Sequence, residues 1–413
     1  MKRLGIFSAP GTGQLNPSIA LGRELQRRGH TVVIFQMPSA GPLVSTAGLG
    51  FRALTKTRAA RSPVATVRAP ARRLDTLRVL RTHMQHVLEF GAAAARREQL
   101  DGVIVDQFDF AAGSVAEHLG LPFVTACFSP PLWLDALVPP FIIGSGFSRS
   151  IAARVRNIVA NLGVAALLAP FISRINGWRH RKALPPIRRV KDLWSPLASV
   201  TQLPRAMDFP RQHLEASCYH TGPFHDRSGR WKTDFPWDKL DGRPLVYVSL
   251  GTVQNGTPAA FAQIAAACGK LDVQMVLSTG GRLPPEAIGP VASNHLVVYF
   301  APQVELLSRA TVAVTHGGLN STLEALMQGV PLLALPITDD QPGVAARIAW
   351  TGVGLVAWPY ERTARDLREK IRMLLSESRY QHAAVAMQQE IARVDGLHRA
   401  GDIIEAALAG TCQ

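Results

Sequence analysis

Cysteine is scarce and poorly placed for its usual structural roles. The 413-residue chain carries only Cys127, Cys218, Cys268 and Cys412, with neither a Cys-x-x-Cys pair nor the Cys/His spacing of a metal site. This argues against a disulfide framework and a zinc site, and fits a reducing, cytoplasmic setting. No Asp-x-Asp metal motif occurs. The opening Met-Lys-Arg and Leu4–Phe7 run breaks at once into Ser8-Ala-Pro-Gly-Thr-Gly13, leaving no room for a signal-peptide core. The longest weakly charged stretch, Asn157 to Ser173, contains Asn161 and Pro170 between Arg156 and Arg174. It falls short of the ~20 apolar residues that a spanning helix needs. The absence of a fixed-period repeat or low-complexity tract excludes a solenoid. No DNA or RNA motif is present, which makes nucleic acid the weakest candidate partner.

What is present describes a globular chain, 47% apolar and 18% charged, with a net charge of +15. The charge is uneven. Residues 1–230 hold 30 Lys and Arg against 13 Asp and Glu, whereas residues 231–413 hold 15 against 17. A basic half of this kind serves an anionic membrane surface, steers an anionic substrate, or forms a solvated face.

Leu4 to Ser8 reads as a strand, followed by a glycine-rich turn. A helix is signalled next by Asn16 as N-cap and Pro17 at the first helical position, and a second strand by Thr31–Phe35. The rhythm returns at Gly102–Asp106, a helix near Phe110–Leu119, and Leu121–Thr125. It restarts at Leu245–Ser249, with further strands near 273–278, 295–300, 311–315 and 331–335, then helices near 363–376 and 379–409. The fold class is therefore α/β, with two Rossmann-like, doubly wound parallel-sheet domains. The expected divisions are an N-terminal domain at 1–222, a linker at 223–243 and a C-terminal domain at 244–390. A terminal helix at 391–413 is placed to pack back on the first domain. Two arginine-rich regions, 56–98 and 149–193, interrupt the alternation; the second flanks the apolar run Ile158–Ile175. Such a segment either lies in a membrane interface or packs on its own domain.

The densest chemical signal is Thr315-His-Gly-Gly-Leu-Asn-Ser-Thr-Leu-Glu324, a strand-to-helix turn. Gly318 lets backbone approach a ligand, Asn320, Ser321 and His316 supply donors, and the helix start favours a diphosphate. Glu324, one turn beyond Asn320, suits two vicinal ribose hydroxyls. A plain capped helix uses the same residue types. Asp340 and Gln341 follow the strand at 331–335 and suit sugar hydroxyls. Gly251 and Thr252 end another strand, while Phe300, Ala301 and Gln303 offer a ring, backbone and an amide for a pyrimidine base.

On these residues the chain resembles the UDP-glycosyltransferases of the GT-B fold. Asp106-Gln107, Leu121–Thr125, Asp234-Phe-Pro-Trp237 and Asp340–Arg347 make it similar, more narrowly, to the bacterial carotenoid branch that glucosylates zeaxanthin. The resemblance implies two domains facing a cleft, the acceptor in the first and the nucleotide sugar in the second. Its donor signature maps to Gln303, His316, Gly318, Asn320, Ser321, Glu324, Asp340 and Gln341. It further implies inverting transfer of glucose from UDP-glucose to a hydroxyl of an apolar acceptor, without a metal ion or other cofactor. A hydroxycarotenoid acceptor places the enzyme peripherally at the inner face of the membrane.

One departure concerns the base. Where the family has Gly-His, with histidine as the general base, this chain has Gly13-Gln14. Glutamine cannot take a proton at neutral pH. Asp106, matching the aspartate that orients that histidine, and nearby Asp109 are the candidate proton acceptors. The alternative is that Gln14 only positions the acceptor. A different apolar acceptor (macrolide, sterol or phenol), a catalytically weak nucleotide-sugar-binding protein, and a sugar-nucleotide epimerase are the competing readings.

Overall fold

The computed structural model describes residues 1–55, 73–212, 214–226, 233–251, 258–281 and 283–410. Among them, thirteen strands form two sheets, parallel throughout. The first contains β1 (Arg3–Phe7), β2 (Thr31–Gln36), β3 (Gly50–Ala53), β4 (Gly102–Asp106), β5 (Phe123–Cys127), β6 (Ser199–Thr201) and β7 (Cys218–His220), in the order β3-β2-β1-β4-β5-β6-β7. The second contains β8 (Leu245–Ser249), β9 (Gln274–Ser278), β10 (Leu296–Val298), β11 (Val312–Thr315), β12 (Leu332–Ala334) and β13 (Gly354–Val356), in the order β10-β9-β8-β11-β12-β13. The continuous apolar runs that predicted strands are buried on both faces by helices, as parallel sheets require.

Strand order reverses between β1 and β4 in one sheet and between β8 and β11 in the other. At such switch points the connections leave in opposite directions and open a crevice beyond the strands' carboxyl ends.

The sequence reading misses β3, β6, β7 and β13, which have only three or four residues. Unlike the equally short β10 and β12, which sit in longer apolar runs, β3, β6 and β7 carry no apolar run for the pattern to register, and Gly354 breaks the run at β13. Tyr219 and His220, near the end of the expected N-terminal domain, lie in β7. The first helix begins at Thr12 rather than beyond Asn16, so Pro17 lies inside it. Lacking an N–H, Pro17 cannot bond the Gly13 carbonyl one turn back. That carbonyl accepts instead from Asn320 of the second unit (2.9 Å).

The last helix, Gly396–Ala409, buries Leu397, Ala400, Ile404 and Leu408 against Leu21, Leu25 and other residues of the first unit. Arg28 secures it through Asp402 and Glu405, both at 2.8 Å. Its N-cap Asp395 accepts from the His398 N–H.

A buried ion pair joins the units. Asp208, beyond β6, accepts from Arg347 of the helix Gln341–Thr351 through Oδ1 (2.6 and 3.0 Å) and from Arg211 through Oδ2 (2.8 Å). Arg347 is 1% and Asp208 4% exposed. The Arg347 guanidinium lies 4.4 Å from the Phe209 ring centroid. Burial alone would raise the Asp208 pKa, but Arg211, Arg347 and His220 bring it well below the carboxylate range. Asp208→Ala leaves Arg347 buried and uncompensated, with an expected stability cost of about 3–5 kcal/mol at neutral pH. Because the folded pKa is depressed, this contribution is present above the unfolded value of about 3.9 and lost as pH falls through the folded one. Denaturant titrations should therefore show a large gap between wild type and variant at pH 7 that narrows below pH 4; equal midpoints at pH 7 would refute the assignment.

Candidate active site

Both switch-point crevices carry residues singled out by the sequence. Between β1 and β4, Asp106 is fully buried; its Oδ2 accepts from the Ala9 N–H and its Oδ1 from the Phe108 N–H, each at 3.0 Å. Burial pushes its pKa to about 7, against the pull of those two N–H groups. In this conformation Asp106 braces the loop that leads to Gln14 and does not reach the cleft. Asp109 is buried as well. Its Oδ2 pairs with His83 Nε2 at 2.9 Å, both residues being buried, and its Oδ1 accepts from the Ala112 N–H.

Gln14 Nε2 donates to Ser129 Oγ (3.1 Å), and its buried Oε1 has no hydrogen-bond partner. Across the cleft the Ser129 hydroxyl stands near enough to Asp340 to favour its ionised carboxylate. Burial raises the Asp340 pKa to about 6, with Asp339 adding to the effect and Ser129 opposing it. Neighbouring Asp339 adopts a left-handed φ of 57° and accepts from Thr76 Oγ1 (3.1 Å). The 338–340 loop is thus held against the first unit.

Between β8 and β11, His316 lies between two glycines. A Cβ at Gly318 would stand 2.5 Å from His316 Nε2, and one at Gly251 would stand 2.9 Å from its Cε1. Gly251 also has a φ of 80°, which favours glycine. Burial lowers the His316 pKa to about 4, so the imidazole is neutral at physiological pH and offers a dipole rather than a charge. Gly318 is the N-cap of the helix Leu319–Met327, whose first turn carries Asn320 and a half-buried Ser321. Asn320 Oδ1 accepts from Gln202 Nε2 (2.7 Å) while its Nδ2 donates to Gly13 O. With two N–H bonds on Nδ2, it keeps one for a ligand.

Glu324 accepts from Gln303 Nε2, and His225 Nδ1 lies 3.8 Å from it. Gln303 Oε1 in turn accepts from Tyr247 (3.1 Å). The Phe300 ring lies against Gly281 and is 53% exposed, leaving a face for stacking beside half-buried Ala301. Gln341 departs from its expected place: it is 4% exposed, and its Oε1 accepts from the Ile337 and Thr338 N–H groups, where it closes the turn. Thr252 lies outside the described residues.

The sequence reading overlooked Ser129, Gln202 and His225. Ser129 follows β5 and was accessible to the same carboxyl-end rule that selected Asp340. Gln202 follows the three-residue β6, which gave no signal, and His225 sits in the linker.

A profile of the UDP-glucoronosyl and UDP-glucosyl transferases matches residues 92–395. The chain belongs to this family. It is 32% identical over 403 residues to the zeaxanthin glucosyltransferase of Pantoea ananas, covering 93% of this chain and 91% of that protein. It is 30% identical over 319 residues to the 4'-demethylrebeccamycin synthase of Lentzea aerocolonigenes, covering 74% of this chain and 73% of that protein. Among solved structures, the glycotransferase of kitacinnamycin superposes with a TM-score of 0.77 at 23% identity, over 98% of each chain. The calicheamicin glycosyltransferase does so at 0.74 and 22% identity, over the whole of both. The fold is GT-B, and the protein is a UDP-dependent hexosyltransferase.

The neutrality of His316 is directly measurable. Its ring resonances should titrate with a midpoint near 4 in a pH series by NMR; a midpoint above 6 would show that the ring is not desolvated between the two glycines.

Proposed function

We propose that this enzyme transfers glucose from UDP-glucose, with inversion and without a metal ion, to a hydroxyl of a hydroxycarotenoid such as zeaxanthin. The observation that carries the reading is the convergence of the two switch-point crevices. The expected donor residues line one and Gln14 with Ser129 line the other, with Asn320 bonded across the cleft to Gly13 O and Ser129 standing beside Asp340. Similarity to two zeaxanthin glucosyltransferases supports the acceptor. An acceptor of that kind is dissolved in lipid, and the enzyme meets it at the inner face of the membrane.

In this reading Phe300 stacks on the uracil and Glu324 takes the ribose hydroxyls, exchanging its bond to Gln303 for them. The helix start at Gly318, with Asn320, Ser321 and neutral His316, receives the charge that grows on the diphosphate as the glycosidic bond breaks. These donors are fixed before the reaction, so no solvent has to reorient around the leaving group.

The proton needs a route that does not pass through Gln14. The acceptor hydroxyl donates its one O–H to Ser129 Oγ, which Gln14 Nε2 holds in place. As the acceptor oxygen attacks the anomeric carbon from the face opposite UDP, the hydroxyl proton passes to Ser129 Oγ and the Ser129 proton passes to the Asp340 carboxylate. UDP departs with the electron pair of the broken bond. Asp106, its oxygens committed to backbone N–H groups, positions the Gln14 loop.

Mass analysis of pigments after incubation with UDP-glucose and zeaxanthin in lipid micelles should show a hexose gain on zeaxanthin. Gain only on a phenol, sterol or macrolide would replace the acceptor, and intact UDP binding without any transfer would favour a binding role. The proton route has its own signature, because kcat/KM reports groups of the free enzyme. A base must be ionised to act, so kcat/KM should rise with pH through about 6 and level off above, and Asp340→Asn should abolish that limb. A limb near 7 that survives in the variant would assign the proton to Asp106.

A further inference from the structure

We propose that the outward face of the helix Ile151–Arg181 is a docking surface for an anionic lipid bilayer. The proposal draws its purpose from the lipid-borne acceptor read above, and its surface from the helix alone.

This helix has two apolar sides. On one, Ala153, Asn157, Val164, Leu168, Phe171, Ile175 and Trp178 recur at helical spacing and are buried; from Val164 onward the apolar members join the core of the first unit. The opposite side should be polar if it faced only water. Instead Ile151 is 84%, Val155 54%, Val159 62% and Leu162 65% exposed, with Ile158 and Leu167 beside them. Between Val155 and Ser173 the only charged residue is Arg156, which is half-buried and turned back onto Gly146 O and Asn157. The stripe from Val155 to Pro170 is about 24 Å long at the helical rise.

Charge selects the occupant. No Asp or Glu stands between Asp135 and Asp192, while Arg149 and Arg154 precede the stripe and Arg174, Arg181, Lys182 and Arg188 follow it, all exposed. Apolar side chains in the acyl boundary with arginines at the phosphates are the arrangement of an interfacial helix. A second copy of the chain fits less well, because pairing this face with itself brings like charges together. By length and mean composition the helix could cross a membrane, although its uncharged run is shorter than a span needs, and the side that packs on the first unit holds it along the surface.

Sedimentation of the full chain with vesicles tests the proposal. Binding is expected to phosphatidylglycerol–phosphatidylcholine vesicles and to fall sharply with phosphatidylcholine alone. Replacing Val159 and Leu162 together by Gln should weaken the anionic binding by about tenfold or more. UDP binding should not change in that variant, which shows that the fold is intact. Arg154→Gln with Arg174→Gln should remove the preference for anionic lipid. Undiminished binding by the Val159/Leu162 variant, or no binding by the wild type, would overturn the proposal. So would a dimer in light scattering that the variant converts to monomer. Vesicle binding without zeaxanthin transfer would reject the acceptor reading while supporting the surface.

Discussion

The structure depends on one buried charge. Arg347 is almost wholly removed from water in a helix of the second unit, and the Asp208 carboxylate that neutralises it arrives from the strand end of the first. A guanidinium in that position is tolerable only when its partner is in place. The pair therefore fixes how the two sheets seat, and with them the two crevices. Smaller contacts around the cleft follow from that seating: Asn320 on Gly13, Gln202 on Asn320, Thr76 on Asp339, Ser129 on Asp340.

Within that frame the cleft is electrically quiet. His316 is held neutral by burial and Asp340 is raised toward neutrality by the same cause, as is Asp106 behind the cleft. Such a site binds little charge before substrate arrives and places oriented dipoles where charge develops later. The exchange of histidine for Gln14 belongs to the same pattern. An amide offers a donor to Ser129 and leaves its own buried oxygen unpartnered, and it neither gains nor loses a proton at neutral pH.

The second unit was far more legible than the first. Its strands are continuous apolar runs, and His316, Gly318, Asn320 and Glu324 fall within one segment where local spacing already places them on one turn and one face. The first unit's contribution is scattered. Gln14, Ser129 and Gln202 follow three different strands and share no sequence neighbourhood. Asp106 was placed at a strand's end, with Asp109 close by in sequence, but sequence could not show that backbone N–H groups and His83 had already claimed their oxygens.

The sequence by itself determined the two parallel-sheet units, the diphosphate-ready helix start and the basic character of the first half. Each follows from local pattern: apolar runs make buried strands, glycine permits close backbone approach, and composition sets charge. Only the tertiary structure decided which polar groups face the cleft and which are spent elsewhere. It turned Gln341 into the closure of a turn, made the Gly13 carbonyl left by Pro17 a bond across the cleft, and left one side of a uniformly apolar helix in the open. The reason is the same in each case. A group's role is set by which partner reaches it when the chain is folded, whether that partner is a turn away, as for Gln341, or hundreds of residues away, as for Gly13.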